Sequence, residues 1–180
     1  MRKMQAVFLD RDGTIIEDRG HLGSTQDVHF FDASIPSLQK LQKLFMLFIV
    51  THQPGISRGL ITKEDVDDVN TYIRDVLMEH EIHIQEIYVC PHDRSEGCSC
   101  IKPNPYFLLR AEQDYNLDLQ RSFTIGDHPP DVDLGKNAGA TGIFLLSGHG
   151  KNHRHEIDDD TIVVPGIGEA VTYILDSLET

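Results

Sequence analysis

Four short stretches hold most of the side chains able to do chemistry: DRDGT (10–14), THQPG (51–55), CPHDRSEGCSCIKPNP (90–105) and GDHPPD (126–131). Asp10 and Asp12 stand two residues apart after an apolar run. Carboxylates that close repel each other unless a cation or a shared proton separates their roles. Divided in that way they make a nucleophile, Asp10, beside an acid/base, Asp12, with Mg²⁺ between protein and substrate. Undivided they make a polar turn, where Asp is common, with Gly13 permitting the bend and Thr14 satisfying backbone through its hydroxyl. Thr51 offers a hydroxyl and Gln53 an amide, and Lys102 offers a charge for a phosphate. Asp127 and Asp131 supply the second half of an oxygen-ligand Mg²⁺ site. Each also has a plainer reading: turn threonine, surface lysine, helix-capping aspartate.

All three cysteines fall within 90–100, together with His92. Cys90 and His92 are two apart, as are Cys98 and Cys100, and side chains at i and i+2 of an extended backbone share a face. Two extended arms joined by DRSEG therefore point two ligand pairs at one another. Three thiolates and one imidazole form a closed tetrahedral Zn²⁺ site, structural because no position is left open. The alternative is a metal-free loop with inert thiols.

The elements that must position these residues are legible as alternation. Apolar runs at 6–9, 44–50, 86–90, 122–126, 142–146 and 161–164 suit buried strands of a sheet covered on both faces. Helical periodicity is clearest over 63–79, where Thr62 with Asp65 approaches a capping box. Further helices are expected near 34–44, 105–116, 131–138 and 166–178. Strand-helix alternation predicts an α/β fold, three-layered and doubly wound on a mainly parallel sheet, with 1–180 as one domain. In such sheets ligands bind beyond the carboxyl ends of the strands, and four expected strand ends carry the four stretches. GHGKNHRHEIDDD (148–160) reads as a surface loop, its histidines solvated. HEIH (80–83) lacks zincin spacing and reads as solvated.

Composition limits the partners. A formal net charge of -13 over 180 residues argues against nucleic acid or an anionic membrane, which need a basic face, but leaves room for a small phosphorylated molecule. No apolar run reaches the ~20 residues of a membrane span. The opening MRKMQAVFLDRDGT is no secretory signal, and three cysteines make a poor disulfide framework. A cytoplasmic monomer is expected.

DRDGT, THQPG, KPNP and GDHPPD, in this order, resemble the four motifs of the haloacid dehalogenase superfamily of phosphatases, over Ala6 to about Leu146. Within it, DRDGTI, GISRG and CPH…CxC…KPNP are similar to the heptose bisphosphate phosphatases and the related histidinol phosphatases. The resemblance implies a HAD-like Rossmannoid fold without a large cap domain, since 38 residues between Asp12 and Thr51 leave no room for one. It implies Mg²⁺-dependent hydrolysis of a phosphomonoester through an aspartyl-phosphate on Asp10, with Asp12 as acid and then base. Mg²⁺ would sit on Asp10, the Asp12 carbonyl and Asp127. Thr51 and Lys102 would hold the phosphoryl oxygens, and Asp131 would orient Lys102 or a metal-bound water. The zinc loop, about 90–102, would deliver Lys102 and form the only substrate-facing cover. A heptose (bis)phosphate or related phosphosugar is the expected substrate. Histidinol phosphate is the alternative, and a zinc-stabilised binding module without activity comes third. The family's usual arginine before the lysine is Ile101 here. His52, His21 (in Asp18-Arg19-Gly20-His21) and His128 also stand where the family commonly has other residues, so Asp18, His21, His52, Gln53 and His128 are the expected substrate-facing set.

Overall fold

The computed structural model describes residues 3–178. Its framework is a six-stranded sheet in the order β3-β2-β1-β4-β5-β6, every neighbouring pair parallel. The strands are β1 (Ala6–Leu9), β2 (Met46–His52), β3 (Ile84–Cys90), β4 (Phe123–Gly126), β5 (Thr141–Leu145) and β6 (Ile162–Val164). The helices are α1 (Ser34–Leu41), α2 (Lys63–Glu79), α3 (Tyr106–Tyr115), α4 (Pro129–Ala138), α5 (Gly150–His153) and α6 (Ile167–Ser177).

Alternation along each strand sends successive side chains to opposite faces, and the two faces have separate cores. Val7, Leu9, Leu47, Ile49, Ile125 and Ile143 face Leu38, Val69, Ile73, Leu77, Ala170 and Ile174 of α1, α2 and α6. Ala6, Phe8, Phe48, Val50 and Tyr88 face Phe107, Leu108, Ala111 and Leu134 of α3 and α4. Phe8 stacks on Phe48 at 5.0 Å between ring centroids, and Tyr88 on Phe107 at 4.9 Å. This is the expected three-layer arrangement, and no large cap interrupts it among the described residues. Strand order reverses direction about β1, whose carboxyl end therefore opens onto the crevice where such sheets bind ligands.

Element ends differ from expectation where capping or a turn takes over. The Thr62–Asp65 pair forms the full capping box of α2, Asp65 N donating to Thr62 Oγ1 at 3.0 Å and Thr62 N to Asp65 Oδ2 at 2.8 Å. The expected strand at 44–50 begins only at Met46, because Leu44 N and Phe45 N still bond to Leu41 O at the close of α1. It runs on to His52, so Thr51 and His52 lie in the strand itself. Helix α4 starts at Pro129, two residues earlier than expected, since prolines fit the first turn where no N–H partner is needed. The stretch 148–160 is not all loop: it contains α5 and a 3₁₀ turn at Arg154–Glu156.

Candidate active site

Asp10 follows β1, its N–H bonded to Ile125 O of β4 at 2.9 Å. The chain then turns back through Gly13, at φ +81°, where a Cβ would lie 2.3 Å from Asp127 Oδ2. Only glycine fits there. Thr14 does not satisfy the turn as expected: it is fully buried and its Oγ1 has no protein partner. The turn is closed instead by backbone, with Ile15 N and Ile16 N both donating to Arg11 O.

Asp12 is held from two sides. Arg11, 0 % exposed, donates Nε to Asp12 Oδ2 at 2.9 Å and Nη2 to Oδ1 at 3.1 Å, while its Nη1 bonds Asn70 Oδ1 of α2 at 2.9 Å. Gln53 Nε2 lies 2.9 Å from both Asp12 Oδ2 and Thr51 Oγ1. Gln53 thus ties the acid/base candidate to the strand-end hydroxyl.

Lys102 Nζ lies 2.8 Å from Asp10 Oδ1 and 2.7 Å from Asp131 Oδ1, with the residue 6 % exposed. Burial alone would lower the lysine's pKa, but Asp10 and Asp131 more than offset that and raise it. Asp10 moves the other way from an ordinary carboxylate. Burial pushes its pKa up to about 8, opposed by Lys102 and reinforced by Asp131, Asp127 and Asp12. Asp131 also accepts His128 N on Oδ2 at 3.0 Å, which caps α4. Asp127, 0 % exposed, meets His128 Nδ1 at 3.0 Å and accepts His149 N at 2.7 Å. The Asp127 hydrogen bond lifts His128 to about 9. Asp127, His128 and Asp131 could share a cation. Asp10 and Asp131 share the one lysine and Asp127 adds a buried carboxylate close to Asp10, a negative excess that a divalent cation with oxygen ligands would balance.

The four residues of the zinc reading do converge. Cys100 Sγ is 3.2 Å from Cys90 Sγ and 3.4 Å from His92 Nδ1, and Cys98 Sγ is 3.5 Å from both other sulfurs. All four ligand atoms lie within 4.8 Å of one another and no cysteine is in a disulfide. That donor set fits a tetrahedral metal. The second arm is not extended as expected: Ser99 and Cys100 form a turn, and DRSEG is a 3₁₀ turn (Arg94–Glu96) capped by Asp93 and closed by Gly97 at φ +61°. Burial holds the Cys90 thiol well above its usual range. Burial also acts upward on Cys98, but its sulfur neighbours bring it down to about 7.

The loop is fastened to the sheet and to its neighbour. His52 Nε2 bonds His92 O at 2.7 Å, Gln53 N bonds Cys90 O at 2.8 Å, Arg58 Nε bonds Asp93 Oδ2 at 2.6 Å, and Ser57 bonds Glu96. Ile101 points into the core cluster of Tyr88 and Phe107, 8 % exposed.

A cavity of about 220 Å³ collects Asp10, Asp12, Asp18, Thr51, His52, Lys102, His128 and Asp131, together with Arg94, Pro54 and Pro130. His21 and Gln53 line an adjoining recess with Arg58 and His149. Asp127 lines neither. Asp18, on the loop after β1, and His149, before α5, meet in the adjoining recess with Oδ2 and Nε2 3.2 Å apart. The sequence reading missed Arg11, Arg94 and His149 as site residues.

A family model described as "HAD-hyrolase-like" matches residues 99–178. A D-glycero-beta-D-manno-heptose-1,7-bisphosphate 7-phosphatase of Helicobacter pylori (strain J99) is 36 % identical, covering 79 % of this chain and 83 % of its own. The chain belongs to the haloacid dehalogenase-like phosphatases. A second relative, a D-glycero-D-manno-heptose-1,7-bisphosphate 7-phosphatase of Chlorobaculum tepidum, is 33 % identical and covers 97 % of this chain and 96 % of its own. Among solved structures, the D,D-heptose 1,7-bisphosphate phosphatase from B. bronchiseptica, complexed with magnesium and phosphate, shares the HAD-like fold. Its TM-score is 0.89 at 23 % identity, covering 97 % of this chain and 99 % of that one.

Proposed function

We propose that this HAD-like phosphatase hydrolyses a bisphosphorylated heptose or a closely related phosphosugar with Mg²⁺ as cofactor. The observation that carries the reading is the convergence of Asp10, Asp12, Thr51 and Lys102 on one cavity at the carboxyl edge of the sheet, and the substrate for which the relatives are named supports it.

Asp10 is the nucleophile. Its carboxylate oxygen attacks phosphorus as the bond to the sugar oxygen breaks, forming an aspartyl-phosphate. Asp12 gives its proton to the departing alkoxide, then takes one from the water that attacks the same phosphorus, freeing Asp10 and inorganic phosphate. Arg11 and Gln53 hold Asp12 in place for both steps. Thr51 Oγ1 and Lys102 Nζ take the phosphoryl oxygens, and Asp131 steadies Lys102. Asp10, the Asp12 carbonyl and Asp127 would hold Mg²⁺, which when bound neutralises charge on the transferring group. Cys90, His92, Cys98 and Cys100 would hold Zn²⁺, bracing the loop that carries Lys102. The cavity, about 220 Å³, has room for one small molecule.

The test is Mg²⁺-dependent phosphate release from heptose 1,7-bisphosphate, histidinol phosphate and simple phosphosugars, with Asp10→Asn as blank. Preference for the bisphosphate supports the substrate proposed here. Preference for histidinol phosphate replaces it, and a lack of Asp10-dependent release sinks the catalytic reading altogether.

A further inference from the structure

Asp10, Asp12, Asp18 and Asp131 all line the cavity of a protein with net charge -13, so a second phosphate entering with the substrate needs a cation that is not already committed. Lys102 is committed to Asp10 and Asp131, and its remaining capacity goes to the reacting phosphoryl group. Arg11 is buried on Asp12 and Asn70. Arg58, in the adjoining recess, lies against Asp93 with Nη2 2.5 Å from Oδ2. Arg94 differs from all three. Its side chain lines the main cavity, is exposed, and forms no hydrogen bond or ion pair among the described residues.

The backbone beneath Arg94 is fixed although its guanidinium is free. Asp93 caps the 3₁₀ turn, accepting Ser95 N at 3.0 Å, and Arg58 anchors the same carboxylate. Ser57 holds Glu96 on the other side, and the cysteine cluster closes the base of the loop. A free guanidinium on a braced turn, lining the same cavity as Asp10, is built to grip an anion that does not react, because its planar fork matches two phosphate oxygens. The position just before Lys102 supplies no such group, since Ile101 is in the core.

We infer that Arg94 is the specificity-determining residue that binds the second, non-reacting phosphate of a bisphosphorylated sugar. The inference rests on the phosphatase reading above and adds which part of the loop selects the substrate.

The experiment compares kcat/KM for heptose 1,7-bisphosphate and heptose 7-phosphate in wild type, Arg94→Gln and Arg94→Lys. In parallel, both compounds are titrated calorimetrically into Asp10→Asn and Asp10→Asn/Arg94→Gln proteins. Losing a charge-assisted contact should lower the bisphosphate-to-monophosphate ratio by about tenfold in Arg94→Gln, mainly through KM. Arg94→Lys, which keeps the charge without the fork, should recover part of it. A ratio within twofold of wild type, or equal losses for both compounds, overturns the inference. If wild type shows no Asp10-dependent turnover, the phosphatase reading fails separately, and the titration still decides Arg94: lost preference for the bisphosphate supports it, unchanged preference overturns it.

Discussion

Lys102 Nζ sits between two carboxylates in a nearly dry position. Replacing it by Met leaves Asp10 and Asp131 facing each other without a cation, and an uncompensated buried charge costs about 3–5 kcal/mol. Lys102→Met should therefore lose stability of that order in a urea titration as well as turnover, whereas Asp10→Asn removes one of the repelling carboxylates and should lose turnover alone. The same crowding sets a pH dependence. Asp10's pKa is raised to about 8, so protons compete with a metal for the carboxylate below that pH. Apparent Mg²⁺ affinity should fall as pH drops from 8 to 6, by up to about tenfold per unit. Activation constants measured at pH 6, 7 and 8 check this, and pH-independent constants would refute it.

Helix α4 delivers Asp131 from one end, and its distance from the sheet is set by glycines. A Cβ at Gly135 would meet Thr124 Oγ1 of β4 at 2.4 Å, and one at Gly142 of β5 would meet Val132 O of α4 at 2.7 Å. Intrinsic helix propensity favours Ala over Gly by about 1 kcal/mol, but overpacking a filled interface costs about 1–3 kcal/mol. Gly135→Ala should therefore be net destabilising, read as a lowered urea midpoint with unchanged m-value; a stabilised variant would show that the helix can move outward at no cost. Elements of this kind were legible in the sequence because buried parallel strands read as apolar runs and α2 carries a strict 3.6-residue period. Their strand ends gave Asp10, Asp12, Thr51, Lys102, Asp127 and Asp131 the right neighbourhood. Arg11 was not legible, since a charged side chain in a turn reads as solvated until Asn70, 59 residues away, is seen beside it. His149 escaped for a related reason: its backbone bond to Asp127 depends on β5 pairing beside β4, a tertiary fact with no local signature.

Both core clusters share the strands of one sheet, and the cysteine loop joins the second of them, with Cys90 and Ile101 inside it and Cys98 and Cys100 packed against it. If the cluster binds Zn²⁺, the metal's binding energy belongs to the folding of the whole sheet rather than to a detachable loop. Elemental analysis should find one zinc per chain. Prolonged chelation should lower the melting temperature of a single cooperative transition and reduce phosphatase activity even with Mg²⁺ restored. An unchanged melting temperature after verified zinc removal would show the loop to be energetically separate. Every strand runs the same way, so all the chemistry gathers on one rim and the other is left to Met4, Lys43, Leu44, Arg121 and Leu178. Leu44 is 54 % exposed there. With the three native cysteines held by zinc, a thiol introduced as Leu44→Cys would let the protein be immobilised on a bead or sensor chip with its mouth turned outward, free to meet substrate from flowing solution.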